Sequence, residues 1–135
     1  MEARGLRNNN PLNIKLQKGQ HWRGQSVSQV DGRFVQFDSM VDGLRAAFVV
    51  LRNYFCLHRL NNLQQIINRW APPVENDTSN YLAYVSTQSG VSPAEPLRWT
   101  QRSKICAIVK AMARMESDIV ISDPELENAY NLACL

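Results

Sequence analysis

No apolar run in this chain of 135 residues approaches the roughly 20 that a membrane-spanning helix requires. The longest good run is Ala46 to Leu51, so no membrane span is expected. Met1 to Asn8 lack the apolar h-region of a secretory signal, and any route out of the cytoplasm has to come from elsewhere. Cysteine is scarce. Cys56, Cys106 and Cys134 are odd in number, lie in apolar helix-like stretches and show neither a CxxC nor a Cys/His ligand spacing, a pattern that reads as buried free thiols. His21 and His58 are far apart and no HExxH occurs, so no metal site is expected and no cofactor is called for. Charge of one sign is equally thin: the net charge is +3, the pI is near 8.9, and no five basic residues run together. That weighs against a nucleic-acid-binding arm.

What the chain does contain is punctuated apolar periodicity. Leu12, Ile14 and Leu16 alternate, and Val27, Val30, Phe34, Val35 and Phe37 flank Asp31-Gly32, so residues 12 to 37 are expected to hold a small β-hairpin. Asp38 or Ser39 then caps a long core helix carrying Met40, Leu44, Ala47, Phe48, Leu51 and Phe55 at three- and four-residue intervals. A second helix sets Leu63, Ile66, Ile67 and Trp70 on one face. Pro72 and Pro73 end it at Trp70 and delay the next helix to about Asp77, with Asp77 or Thr78 as its cap. That third helix carries Tyr81, Leu82 and Val85 and stops at Gly90. A fourth runs from about Thr100 through Ile105, Ile108, Val109 and Met112, and Glu116 continues its apolar stripe. The last opens at Ser122 or Asp123 with Pro124 at its first turn and ends near Cys134. These elements give one domain over residues 1–135, of class α+β: an N-terminal hairpin and four to five helices.

The loop from Trp70 to Tyr81 concentrates Glu75, Asn76, Asp77, Thr78 and Tyr81 between two helices. Carboxylate, amide, hydroxyl and phenol groups so close together suit a polar polymer such as a sugar chain. Capping and solvation use the same residue types.

Several motifs resemble known proteins. Asn10-Pro11-Leu12-Asn13-Ile14-Lys15, Trp22-Arg23-Gly24, then Gly43-Leu44-Arg45-Ala46-Ala47-Phe48 and Tyr54 are similar to the N-L-F-G-I-K, W-x-G and F-R-x-Y progression of flagellar-rod-type bacterial N-acetylglucosaminidases, in the lysozyme superfamily. Glu75 to Tyr81 resembles their T-D-P-x-Y motif, whose tyrosine lines the catalytic cleft, and so implies that role for Tyr81. More of the chain resembles short lysozyme-like virion structural proteins of phages and mobile elements. Their pattern, R-G-x-R-N-N-N-P-x-N-I, W-x-G, W-A-P-P-x-E-N-D-T-x-x-Y and a helix ending in glutamate, is met by Arg4 to Ile14, Trp70 to Tyr81 and Met115-Glu116.

This resemblance implies a lysozyme-like fold and a peptidoglycan-degrading glycosidase: a muramidase, glucosaminidase or lytic transglycosylase. Its partners would be glycan strands and other virion or secretion-apparatus proteins. It would act at the bacterial cell wall through a virion, lysis or secretion route. A non-catalytic peptidoglycan-binding component of a virion or secretion apparatus is the alternative. In the glucosaminidases the acid is a glutamate on a helix before the asparagine motif, whereas here only Met1 to Asn9 precede Asn10, with Glu2 as their one carboxylate. The helix ending at Glu116 has the missing features, which would make the fold a circular permutation.

Glycosidic cleavage needs a carboxylic acid in a partly apolar setting, and Glu116 beside Met112 meets that need unless it frays into solvent or pairs with Arg4 or Arg7. Tyr81 and Glu75 complete the expected catalytic group, with Asp31, Asp38 and Asp42 also open as the second carboxylate. Asn10, Asn13, Trp22, Trp70 and Asp77 are the expected substrate-binding residues. Trp22 and Trp70 could equally belong to the core.

Overall fold

Five stretches with an apolar stripe and one single turn fold as helices in the computed structural model, which describes residues 4–74 and 76–135. They are α1 (Arg4–Arg7), α2 (Met40–Cys56), α3 (Leu63–Trp70), α4 (Thr78–Ser89), α5 (Arg102–Ser117) and α6 (Asp123–Ala133). Their boundaries follow cap chemistry. Ser39 and Asn62 accept from the backbone N–H groups of Asp42 and Gln65. Asp77 caps α4, Gly90 ends it in the left-handed region at φ 74°, and Ser122 with Glu125 forms a capping box on α6. None of these helices is long and apolar enough to cross a membrane.

The expected α+β class does not hold. Among the described residues there is no sheet and no hairpin, only isolated antiparallel bridges between Lys15 and Phe34 and between Gln25 and Phe37. Side chains take the places a ladder would have used. Gln29 Nε2 donates to the carbonyls of Ser26 and Gln36, Gln29 Oε1 accepts from the Gln36 N–H, and Gln36 Oε1 accepts from the Val30 N–H. Asp31 Oδ1 accepts from the backbone of Arg33 and Phe34, which closes a local turn at Asp31-Gly32 without pairing strands. The lysozyme-like hairpin-plus-bundle plan, and the permuted form of it, therefore give way to a six-helix arrangement in place of four to five helices. The added helix, α1, is a single turn.

α2 packs on α6, while α5 packs on α4, α6 and α1. Phe48, Leu44, Leu51, Ile66, Ile108 and Met112 are fully buried, and Phe48 meets Trp99 and Tyr130 edge-on at 6.5 and 5.8 Å. The N-terminal segment docks by close backbone approach. At Gly43 on α2 an added Cβ would fall 1.8 Å from the Asn9 carbonyl oxygen, so only glycine admits that contact. Ser117 Oγ donates to the Pro11 carbonyl at 2.9 Å, pinning the same segment to the end of α5. All three cysteines are free, but only Cys106 is buried; Cys56 and Cys134 sit exposed at helix ends, against the expectation of three buried thiols.

Candidate functional site

The stripe on α5 brings Glu116 to a half-buried position where two donors converge on one of its oxygens. Trp70 Nε1 donates to Oε2 at 3.0 Å and the Tyr81 hydroxyl donates to it at 2.8 Å. Trp70 is the last residue of α3 and Tyr81 lies in the first turn of α4, so the proline loop between them acts as a bracket. Thr78 Oγ1 donates to the Ala71 carbonyl at 2.6 Å and Asn76 Nδ2 to the Pro72 carbonyl at 3.2 Å, which closes the bracket. Tyr81 is 6% exposed; burial first, then the adjacent Glu116, pushes its ionisation far above the usual phenol range. The phenol is thus a permanent donor. With both lone-pair directions of Oε2 occupied, a proton on this carboxyl belongs on Oε1.

Glu116 belongs to the lining of a cleft of about 740 Å³. The N-terminal segment contributes Asn13, Trp22, Arg33 and Phe34, and the helical side contributes Tyr54, His58, Arg69, Trp70, Pro72 and Asn76. Asn13, held at φ 52°, donates from Nδ2 to the Glu116 carbonyl at 3.2 Å, tying the first wall to the α5 end. Asn13 Oδ1 and Trp22 Nε1 are buried without hydrogen-bond partners among the described residues, the kind of deficit that a bound molecule or water relieves.

The sequence-derived candidates separate. Glu116, Trp70, Trp22 and Asn13 meet at the cleft, and both tryptophans are half-buried, packing on the core and facing the cleft together. Tyr81 is not in the lining and reaches the cleft through Glu116. Asn10 is fully buried, its Nδ2 bonded to the carbonyls of Ile14 and Val35 and its Oδ1 to the Ile14 N–H, so it holds the chain together away from the cleft. Asp77 is spent on the α4 cap, accepting from the Asn80 backbone and side chain. Glu75 and Glu2 lie outside the described residues. Glu116 pairs with neither Arg4 nor Arg7; Arg4 bridges Asp31 at 3.0 Å. Asp31, Asp38 and Asp42 are absent from the lining, and among the described residues Glu116 is its one carboxylate. Sequence reasoning missed Arg33, His58 and Arg69, and named Tyr54 only as a motif residue without a role. The one available signal was that Arg69 precedes Trp70 and Arg33 precedes Phe34, each beside a residue already of interest.

Over 117 residues the chain is 40% identical to Protein P5 of Pseudoalteromonas phage PM2, covering 85% of this chain and 71% of that protein. The chain belongs to the family of that phage protein. The relative's name states no activity, and no family model matches the chain.

Proposed function

We propose that this chain is a phage peptidoglycan-cleaving glycosidase with Glu116 as its acid, working at the bacterial cell wall after delivery by the virion, at lysis or by secretion. The observation that carries the reading is the half-buried Glu116 carboxyl, fixed by Trp70 and Tyr81 at a cleft with aromatic walls. The motif resemblance to phage lysozyme-like proteins and glucosaminidases supports it, as does the phage relative.

In this mechanism Oε1 of Glu116 gives its proton to the glycosidic oxygen as the bond from the anomeric carbon to that oxygen breaks. The same carboxylate then takes a proton from the incoming nucleophile. A hydrolase that inverts or forms a covalent intermediate uses a second carboxyl group across the cleft. With Glu116 alone in the described lining, a lytic transglycosylase fits best: the 6-hydroxyl of the muramoyl residue attacks its own anomeric carbon, and its proton returns to Glu116. No water is consumed.

The test is a zymogram on purified peptidoglycan with mass spectrometry of the released products. The wild type is expected to clear the gel and yield anhydro-muramoyl ends. Glu116→Gln keeps an acceptor for Trp70 and Tyr81, so it should fold while losing about 10²–10⁴-fold in rate. Products lacking the anhydro ring would assign hydrolysis. That the described lining holds one carboxylate also favours the non-catalytic reading, and a wild type that sediments with cell walls without releasing any fragment would establish that one instead.

A further inference from the structure

We propose that the cleft recognises carboxylates attached to the glycan strand, through Arg33 and Arg69; this rests on the glycan-binding reading of the same cleft. Arg33 and Arg69 come one from each of the two chain segments that line it. The Arg33 guanidinium lies 5.2 Å from the centroid of the Phe34 ring. That of Arg69 lies 5.4 Å from the Tyr54 ring, with Nη2 3.3 Å from His58 Nε2. Stacking on an aromatic face orders a guanidinium, and the N–H donors that face neither His58 nor Tyr54 are left to take a planar carboxylate in parallel hydrogen bonds.

Neither arginine is paired with a carboxylate among the described residues. The acids that do form ion pairs are committed elsewhere: Asp31 to Arg4, Glu95 to Lys104, Asp123 to Lys110 and Asp118 to Arg114. Glu116 is held by Trp70 and Tyr81. A cleft with two guanidinium groups that pair with no carboxylate among the described residues is ill suited to a neutral polymer of N-acetylglucosamine. It suits an acidic one. In peptidoglycan the carboxylates come from two sources, the lactyl group of muramic acid freed when the peptide is removed, or the peptide stem while it remains attached.

The test measures binding and cleavage separately. Glu116→Gln protein is sedimented with intact peptidoglycan, with amidase-stripped glycan and with chitin, and compared with the same protein carrying Arg33→Gln and Arg69→Gln. Each arginine is expected to contribute about tenfold to affinity for an acidic strand, the size of one charge-assisted contact, with added salt weakening binding and chitin held poorly by both proteins. Affinity that rises on stripping assigns the lactyl group, affinity that falls on stripping assigns the stem, and equal arginine-dependent affinity shows that the cleft takes either carboxylate. In the otherwise wild-type protein the two substitutions should raise KM and leave kcat nearly unchanged.

Unchanged affinity and KM in the double variant would overturn the proposal and leave the glycosidase reading standing. So would an equal loss on chitin. Conversely, arginine-dependent retention by a protein that releases no fragment would uphold carboxylate recognition while the glycosidase reading falls.

Discussion

Tyr81→Phe removes one hydrogen bond and almost nothing else, because the ring keeps its buried position and Trp70 remains on Glu116 Oε2. The lost contact is a hydroxyl donating at 2.8 Å to a carboxylate, and bonds to charged groups contribute about 1.5–3 kcal/mol. With Trp70 still in place the lower end applies, about 1.5–2 kcal/mol, which for a domain of this size lowers Tm by roughly 5–8 °C. The pH dependence is more diagnostic. Burial and the neighbouring Glu116 raise the Tyr81 ionisation above its ordinary value of 10.0, so above that pH the unfolded chain loses this proton while the folded protein keeps it. Native protein then binds more protons than unfolded protein, and stability falls as pH rises, by up to about 1.4 kcal/mol per pH unit for one group. The phenylalanine variant lacks this branch. Tyr54, Tyr130 and Cys106, which burial shifts in the same direction, are common to both proteins and cancel in the difference. Urea unfolding should therefore show a gap of about 1.5–2 kcal/mol at pH 7 that closes near pH 11. A gap that stays constant across this range would refute the buried Tyr81–Glu116 contact, whatever happens to turnover.

Gly43→Ala gains helix propensity but drives a methyl group into the Asn9 carbonyl, so the urea midpoint should fall by the equivalent of about 1–3 kcal/mol; an unchanged or higher midpoint would show that the close approach does not exist. Asp31, whose ionisation is lowered by Asn8 first and then by the backbone of Phe34 and Arg33 and by Arg4, contributes stability above its ordinary value of 3.8 that is lost as pH falls below it. Asp31→Asn should accordingly destabilise at pH 6, with the gap to the wild type narrowing progressively as pH falls below 3.8 in thermal melts, and a difference independent of pH would remove the charge from the explanation.

Helices were legible in this chain because their signals are local. Leu63–Trp70 is bounded by Asn62 and by Pro72-Pro73, Gly90 stops α4, and Ser122-Asp123-Pro124-Glu125 opens α6, each a chemistry of adjacent residues. The N-terminal third was misread for the converse reason. Alternation at Leu12, Ile14 and Leu16 and the Asp31-Gly32 turn satisfy the requirements of strands, yet whether a ladder forms depends on what else can pair with the backbone. Here the Gln29 and Gln36 amides do so. Single-turn α1 has no periodicity to detect; it exists because Gly5 packs against Ser117 and Asn10, contacts more than a hundred residues apart in the first case.

The candidate site divides along the same line. Glu116 was readable from the i, i+4, i+8 stripe of Ile108, Met112 and Glu116, since helical geometry alone turns such a residue inward. Its two donors were readable only as members of one loop, and the prolines explain why that loop works. A flexible connection between Trp70 and Tyr81 would have to lose conformational freedom to bring both groups to one oxygen, whereas Pro72 and Pro73 have already given up theirs in the unfolded chain. The arginines have no such local mark. Arg33 and Arg69 come to one cleft only when the segment at 14–16 bonds back to residues 33–35 and faces α3 across that cleft, and in the sequence they are two of many scattered cations. Charge in the cleft is therefore a tertiary property, and it is the property on which the proposed discrimination between an acidic and a neutral glycan rests.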